Sequence, residues 1–137
     1  MQEGLAISNH VNDWANGITY APAIAAPTAA LATGVTGTGV DCIALDGQMG
    51  LVQVVGTVAS TSFSFSGKVQ EADTATGTYS DITGATTPAL TSTTGAQIVN
   101  SVSFQRTKRF LRYVGTEGGT TPTMSLDVMF LGTTKQL

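Results

Sequence analysis

Thr123-Met124-Ser125-Leu126-Asp127-Val128-Met129-Phe130-Leu131 decides the fold class. Met124, Leu126, Val128 and Phe130 fall on one side at a period of two, with Ser125 and Asp127 on the other. A helix would need apolar residues three and four apart, so this spacing predicts a half-buried strand. The preceding segments read alike. Arg109–Glu117 carries Leu111 and Tyr113 on one face and Phe110 and Val114 on the other. Ile98–Gln105 aligns Ile98, Val102 and Phe104, and Ser62–Glu71 aligns Phe63, Phe65 and Val69 with Gly67 in register.

Further out the signals weaken. Val40–Asp46 and Met49–Val55 are short apolar runs, and Asp46-Gly47 between them predicts a hairpin turn, because Asp-Gly accepts the positive φ angles of tight hairpins. Ala72–Ser80 is turn-rich, Tyr79–Thr83 and Thr86–Leu90 read as weak strands or loop, and Gly118-Gly119 with Pro122 predicts the turn before the last strand. Short alternating strands divided by Gly, Thr, Asp and Pro predict an all-β, antiparallel β-sandwich, jelly-roll-like, over residues 34–137.

Residues 1–33 differ in character and are expected to form an extended N-terminal arm. They are rich in Ala, Asn and Pro, and Pro22 and Pro27 favour extended backbone. Gly4–Asn16 is the best helix candidate, weakened by its Gly and Asn residues. Leu5, Ile7, Val11, Trp14, Ile18, Tyr20 and Ile24 need a surface to cover. A neighbouring subunit or a larger assembly, with Trp14 as anchor, is the preferred surface; packing back on the same sandwich is the alternative.

The residue inventory argues against an enzyme. His10 is the single histidine and Cys42 the single cysteine, so neither a zinc site nor a Ser-His-Asp set is readily assembled. No metal and no cofactor is expected. Cys42 reads as a small buried hydrophobe, and Glu71 and Asp73 read as turn formers more than as a catalytic pair. The net charge of −3 and pI near 4.7 argue against a nucleic-acid binder. No apolar run reaches membrane-span length, and no Lys or Arg precedes Ala21–Ala32 to suggest a signal peptide. Charged residues make up only 11% of the chain, which leaves a weakly charged surface suited to a homo-oligomer.

Four of the six basic residues, Arg106, Lys108, Arg109 and Arg112, lie within Arg106-Thr107-Lys108-Arg109-Phe110-Leu111-Arg112. They are the candidate partner-binding residues, together with Trp14. Three readings stand: a solvated edge that discourages strand pairing, an anchor for an acidic protein surface, and, least favoured, a nucleic-acid contact.

The span from Ser62 to Leu131 resembles the head decoration (cement) proteins of bacteriophages. The residues that carry the likeness are FSFSGKVQEADTATGTYSDITGA at 63–85, RTKRFLRYVGTEGG at 106–119 and the final alternating strand. The resemblance implies a β-sandwich subunit, made in the host cytoplasm and bound on the outside of a capsid. It would contact the major capsid protein there, with a homotrimer favoured because capsid lattices offer three-fold sites. A tail or fibre component of a virion and a carbohydrate-binding module are the alternatives, the last needing exposed Trp or Tyr.

Overall fold

The computed structural model describes residues 18–22, 34–56, 63–91, 98–119 and 124–135. The described chain is all strand and loop: β1 (Ile18–Pro22), β2 (Val35–Thr36), β3 (Val40–Asp41), β4 (Leu45–Gly56), β5 (Phe63–Ala72), β6 (Ser80–Thr86), β7 (Leu90–Thr91), β8 (Ile98–Gln105), β9 (Phe110–Gly119) and β10 (Ser125–Thr134). Every pairing is antiparallel.

One sheet, sheet A, has the order β1-β10-β4-β8; the other, sheet B, has the order β2-β9-β5-β6. β3 extends the β2 edge of sheet B by pairing with β9, and β7 extends the β6 edge by pairing with β5. With β2 and β3 taken together and β6 and β7 together, the chain crosses between the sheets at every step except from β5 to β6, and it retraces its path through β8, β9 and β10. That winding is the jelly roll expected from the alternation.

The faces follow the sequence period. Leu126, Val128 and Phe130 of β10, Leu51 and Val55 of β4, and Phe104 of β8 point inward from sheet A. Phe65 and Val69 of β5 and Leu111 and Tyr113 of β9 meet them from sheet B. Burying each such side chain contributes about 1.5–3 kcal/mol, so the two inner faces hold the sheets together. Phe104 and Phe130 add an edge-to-face contact, with ring centroids 6.4 Å apart. Cys42 is fully buried, and burial pushes its thiol up to about 11, which leaves it un-ionised at neutral pH.

Asp46-Gly47 does not turn. β4 runs through it, and Gly47 lacks the positive φ that a tight hairpin needs. The reversal comes earlier, where Leu45 donates its amide to the Cys42 carbonyl at 3.0 Å. The strand before it, β3, pairs with β9 in the opposite sheet, so this corner joins two layers and is not a hairpin. Gly118 and Gly119 close β9 opposite Ser64 and Phe63, Gly119 with a positive φ of 114°, and Pro122 lies outside the described residues. Within residues 1–33, the segment Ile18–Pro22 is a strand on the edge of sheet A, in register with Thr133–Met129 of β10. Trp14 and the helix candidate Gly4–Asn16 lie outside the described residues.

A polar contact crosses the apolar interior. Tyr113 of β9 donates its hydroxyl to Gln53 Oε1 of β4 at 2.5 Å, and both side chains are fully buried. Loss of solvation raises the Tyr113 pKa well above the usual phenol value, so the group is a fixed donor. Thr87 accepts the Gly67 amide at 2.9 Å and returns its own amide to the Gly67 carbonyl at 2.8 Å. Gly67 sits beneath this contact, where a Cβ would collide with Gln53 Oε1 and the Tyr113 phenol. Overpacking of this kind costs about 1–3 kcal/mol. Gly67→Ala should therefore lower stability by that amount in urea unfolding; an unchanged midpoint would show that the centre of the sandwich is loosely packed.

Candidate interaction surfaces

The basic segment is a folded corner. Arg106 directly follows β8, and its amide continues the ladder by donating to the Gly47 carbonyl at 2.8 Å. Its side chain turns inward and is 9% exposed. The guanidinium donates to the carbonyls of Cys42 (2.6 Å), Leu45 and Lys108 (2.9 Å). A buried charge is tolerated when it is well hydrogen-bonded, and three carbonyl oxygens take its two terminal nitrogens, while Nε is buried without a partner. Arg106 thus joins the β3–β4 corner to the β8–β9 loop.

Glu71, at the end of β5, holds the same loop from the other side. Its carboxylate accepts the Thr107 amide (2.7 Å), the Thr107 hydroxyl (2.7 Å) and the Lys108 amide (3.0 Å). Burial alone would raise the Glu71 pKa; the three donors outweigh it and hold the carboxyl below the usual range. The expectation that Glu71 serves its own turn is corrected: its partners lie across the sheet end, on the β8–β9 loop. Asp73 is largely exposed, 3.8 Å from the Lys108 ammonium.

The remaining cations are also engaged. Arg109 forms a two-pronged ion pair with Asp41 of β3 at 2.9 and 2.6 Å, and this pair holds the Asp41 carboxyl at about 2. Arg112 lies 4.2 Å from the centre of the Tyr79 ring and donates to Gln70 at 2.8 Å. Gln70 in turn donates to Asp81 (2.6 Å), which also takes Lys68 (2.8 Å). The outer face of sheet B thus carries a row of linked polar side chains running Arg112–Gln70–Asp81–Lys68, with Phe110 and Val114 half-buried beside it. Lys108 is the member of the four whose charge is held most loosely.

Sheet A presents a different outer face. The alternate residues Gly50, Val52 and Val54 of β4, Val99, Ser101 and Ser103 of β8, and Met129 and Leu131 of β10 point away from the core. Val99 is 61% exposed. Gly50, flanked by Leu131 and Ser103 in register, floors a shallow depression. Asp127 is the one charged side chain that β4, β8 and β10 place on this face between Gln48 and Gly56. This nearly uncharged face, its aliphatic side chains half-buried except at Val99, is the candidate interaction surface of sheet A. Sequence reading had Ser125 and Asp127 as the wet side of β10, and continuing that register to Met129 and Leu131 would have found it.

Three described aromatic side chains are engaged: Tyr113 is buried, Phe110 lies under Arg109, and Tyr79 lies under Arg112 with its hydroxyl on the Ala75 carbonyl at 3.0 Å. Among the described residues, no three His, Cys, Asp or Glu side chains gather to hold a metal ion.

No protein-family model matches the chain, and no curated protein matches its sequence. Solved structures share its fold. The PBSX exported protein XepA superposes with a TM-score of 0.53 at 12% identity over 87% of this chain. The endo-1,4-beta-D-xylanase 10B of Clostridium thermocellum, in its CBM22-1 and GH10 modules with xylohexaose, gives 0.52 at 14% identity over 89%. The chain spans 38% of the first protein's length and 27% of the second's. At these identities the likeness establishes a shared β-sandwich.

Glu71 connects the corner to pH. Its folded pKa is depressed, so the stability it contributes is complete above its unfolded value, about 4.3, and is lost as pH falls through the folded value. Hydrogen bonds to a charged group contribute about 1.5–3 kcal/mol each, and the glutamine amide keeps part of them, so Glu71→Gln should cost about 2 kcal/mol at pH 7. The variant should also lose less stability than the parent between pH 5 and the acid transition, which urea titrations at several pH values would read. Parallel acid curves for the two proteins would contradict this role.

Proposed function

We propose that this chain is a structural virion protein that binds the outer surface of a bacteriophage capsid and stabilises or decorates it. The observation that carries the reading is the contrast between the faces of the sandwich. One is a linked polar lattice suited to water; the other is an aliphatic sheet suited to lie against protein. The resemblance of Ser62–Leu131 to head decoration proteins supplies the partner, the major capsid protein. The loosely held charge of Lys108 gives that contact an electrostatic component.

A carbohydrate-binding module is the second reading, favoured by the shared fold with the xylanase structure. Against it, sugar rings stack on exposed aromatic side chains, and β4, β8 and β10 place Val, Met, Leu and Ser on the outer face of sheet A.

Capsids stripped of this protein and then mixed with it test the reading. The parent chain should rebind, and less tightly as salt rises, because exposed charges are screened beyond about 8 Å at physiological ionic strength. Val54→Lys with Met129→Lys should abolish rebinding while leaving the far-UV spectrum unchanged, and Lys108→Glu should weaken it most at low salt. Retention on xylan without capsid binding would favour the module reading. Indifference to both would remove both.

A further inference from the structure

Three of the four sheet edges carry features that discourage strand addition. β1 ends in Pro22, which has no amide hydrogen to donate. β2 and β3 are two residues each. β6 contains Asp81 and Gly84 at φ 80°, meets β5 through a register shift, and is followed by Pro88. Charge, proline, bulges and short length are the usual protections of an exposed edge.

β8 has none of them. Its eight residues, Ile-Val-Asn-Ser-Val-Ser-Phe-Gln, contain no charge, no proline and no glycine, and all eight pair with β4 on one side in unbroken register. Among the described residues, no strand pairs with its other side. The hydrogen-bond phase of this edge is fixed by Arg106, whose amide points to β4. Amides alternate along a strand, so the even-numbered residues of β8 bond to β4. Val99, Ser101, Ser103 and Gln105 then aim both N–H and C=O outward.

We infer that β8 pairs with β8 of a second copy, antiparallel about a two-fold axis. One register uses every outward group: Val99 opposite the second copy's Gln105, and Ser101 opposite the second copy's Ser103, with the axis at Val102. Each of the four residues then exchanges both backbone groups with its opposite number. The absence of charge matters most beside the axis, where Ser101 and Ser103 lie within two positions of their own copies and a charge would meet its like. Sheet A becomes continuous across the two copies, and their aliphatic outer faces, Val52, Val54, Val99, Met129 and Leu131 on each, merge into one surface. The pairing is isologous and departs from the three-fold arrangement expected from the resemblance. It does not rest on the capsid reading.

Light scattering coupled to gel filtration of the full chain, with two paired variants, tests this. The parent should elute with the mass of two chains. Ser101→Lys with Ser103→Lys places lysine opposite lysine in the register and should yield single chains, with thermal unfolding of the monomer still cooperative. Ser101→Lys with Ser103→Glu places lysine opposite glutamate and should restore the two-chain mass. A parent of one or three chains, a two-chain mass that survives the double lysine, or a Lys/Glu variant that stays single would each overturn the inference.

Discussion

The Arg106 guanidinium lies at one end of the sandwich with its charge out of water, donating to the carbonyls of Cys42, Leu45 and Lys108. Two of those carbonyls belong to the corner where the chain leaves β3 for β4, and so passes from sheet B to sheet A. The third belongs to the loop by which it returns from β8 to β9. The Cys42 oxygen also takes the Leu45 amide within the corner, and a buried acceptor left unmet costs about 1–3 kcal/mol. One planar cation serves both the corner and the loop. Glu71 completes the end by taking the two amides of the same loop that point the other way.

Much of the surface follows from this corner. With the β8–β9 loop held between Arg106 and Glu71, Arg109 is placed over Asp41, and β9 enters sheet B with Arg112 beside Gln70 and Tyr79. The basic segment is consequently engaged within its own molecule, with Arg109 alone in a close ion pair, and part of the polar face of sheet B is built from it. The aliphatic residues of sheet A, by contrast, have no polar partners to engage. The molecule thus separates a polar side from an aliphatic side although its charged residues are few.

Sequence legibility tracked the range of the interactions. β8, β9 and β10 were readable because a strand with one buried face prints its period directly, as in Met124, Leu126, Val128 and Phe130. Asp46-Gly47 misled because turn propensity is local, whereas the position of the reversal is set by Cys42 and Leu45 meeting Arg106 from 61 to 64 residues away. For the same reason the four basic residues looked equivalent. Nothing near Arg106 in the chain announces that it is buried, or near Glu71 that its partners are Thr107 and Lys108. The expected partner-binding set thereby divides: Arg106 is committed to the fold, Arg109 and Arg112 to ion-pair and stacking partners, and Lys108 remains the most available. The aliphatic face was legible in the second half of β10 but became a surface only when β4 and β8 aligned beside it.

The account stands on the β8–β9 loop being locked from both sides. Hydrogen exchange of the Thr107 and Lys108 amides, followed by NMR, reads this directly. Both donate to a carboxylate, so at neutral pH their protection factors should approach those of core amides such as that of Leu111, and should fall together as Glu71 takes up its proton. Exchange of these two amides at the rate of an open loop, with Leu111 fully protected, would contradict it.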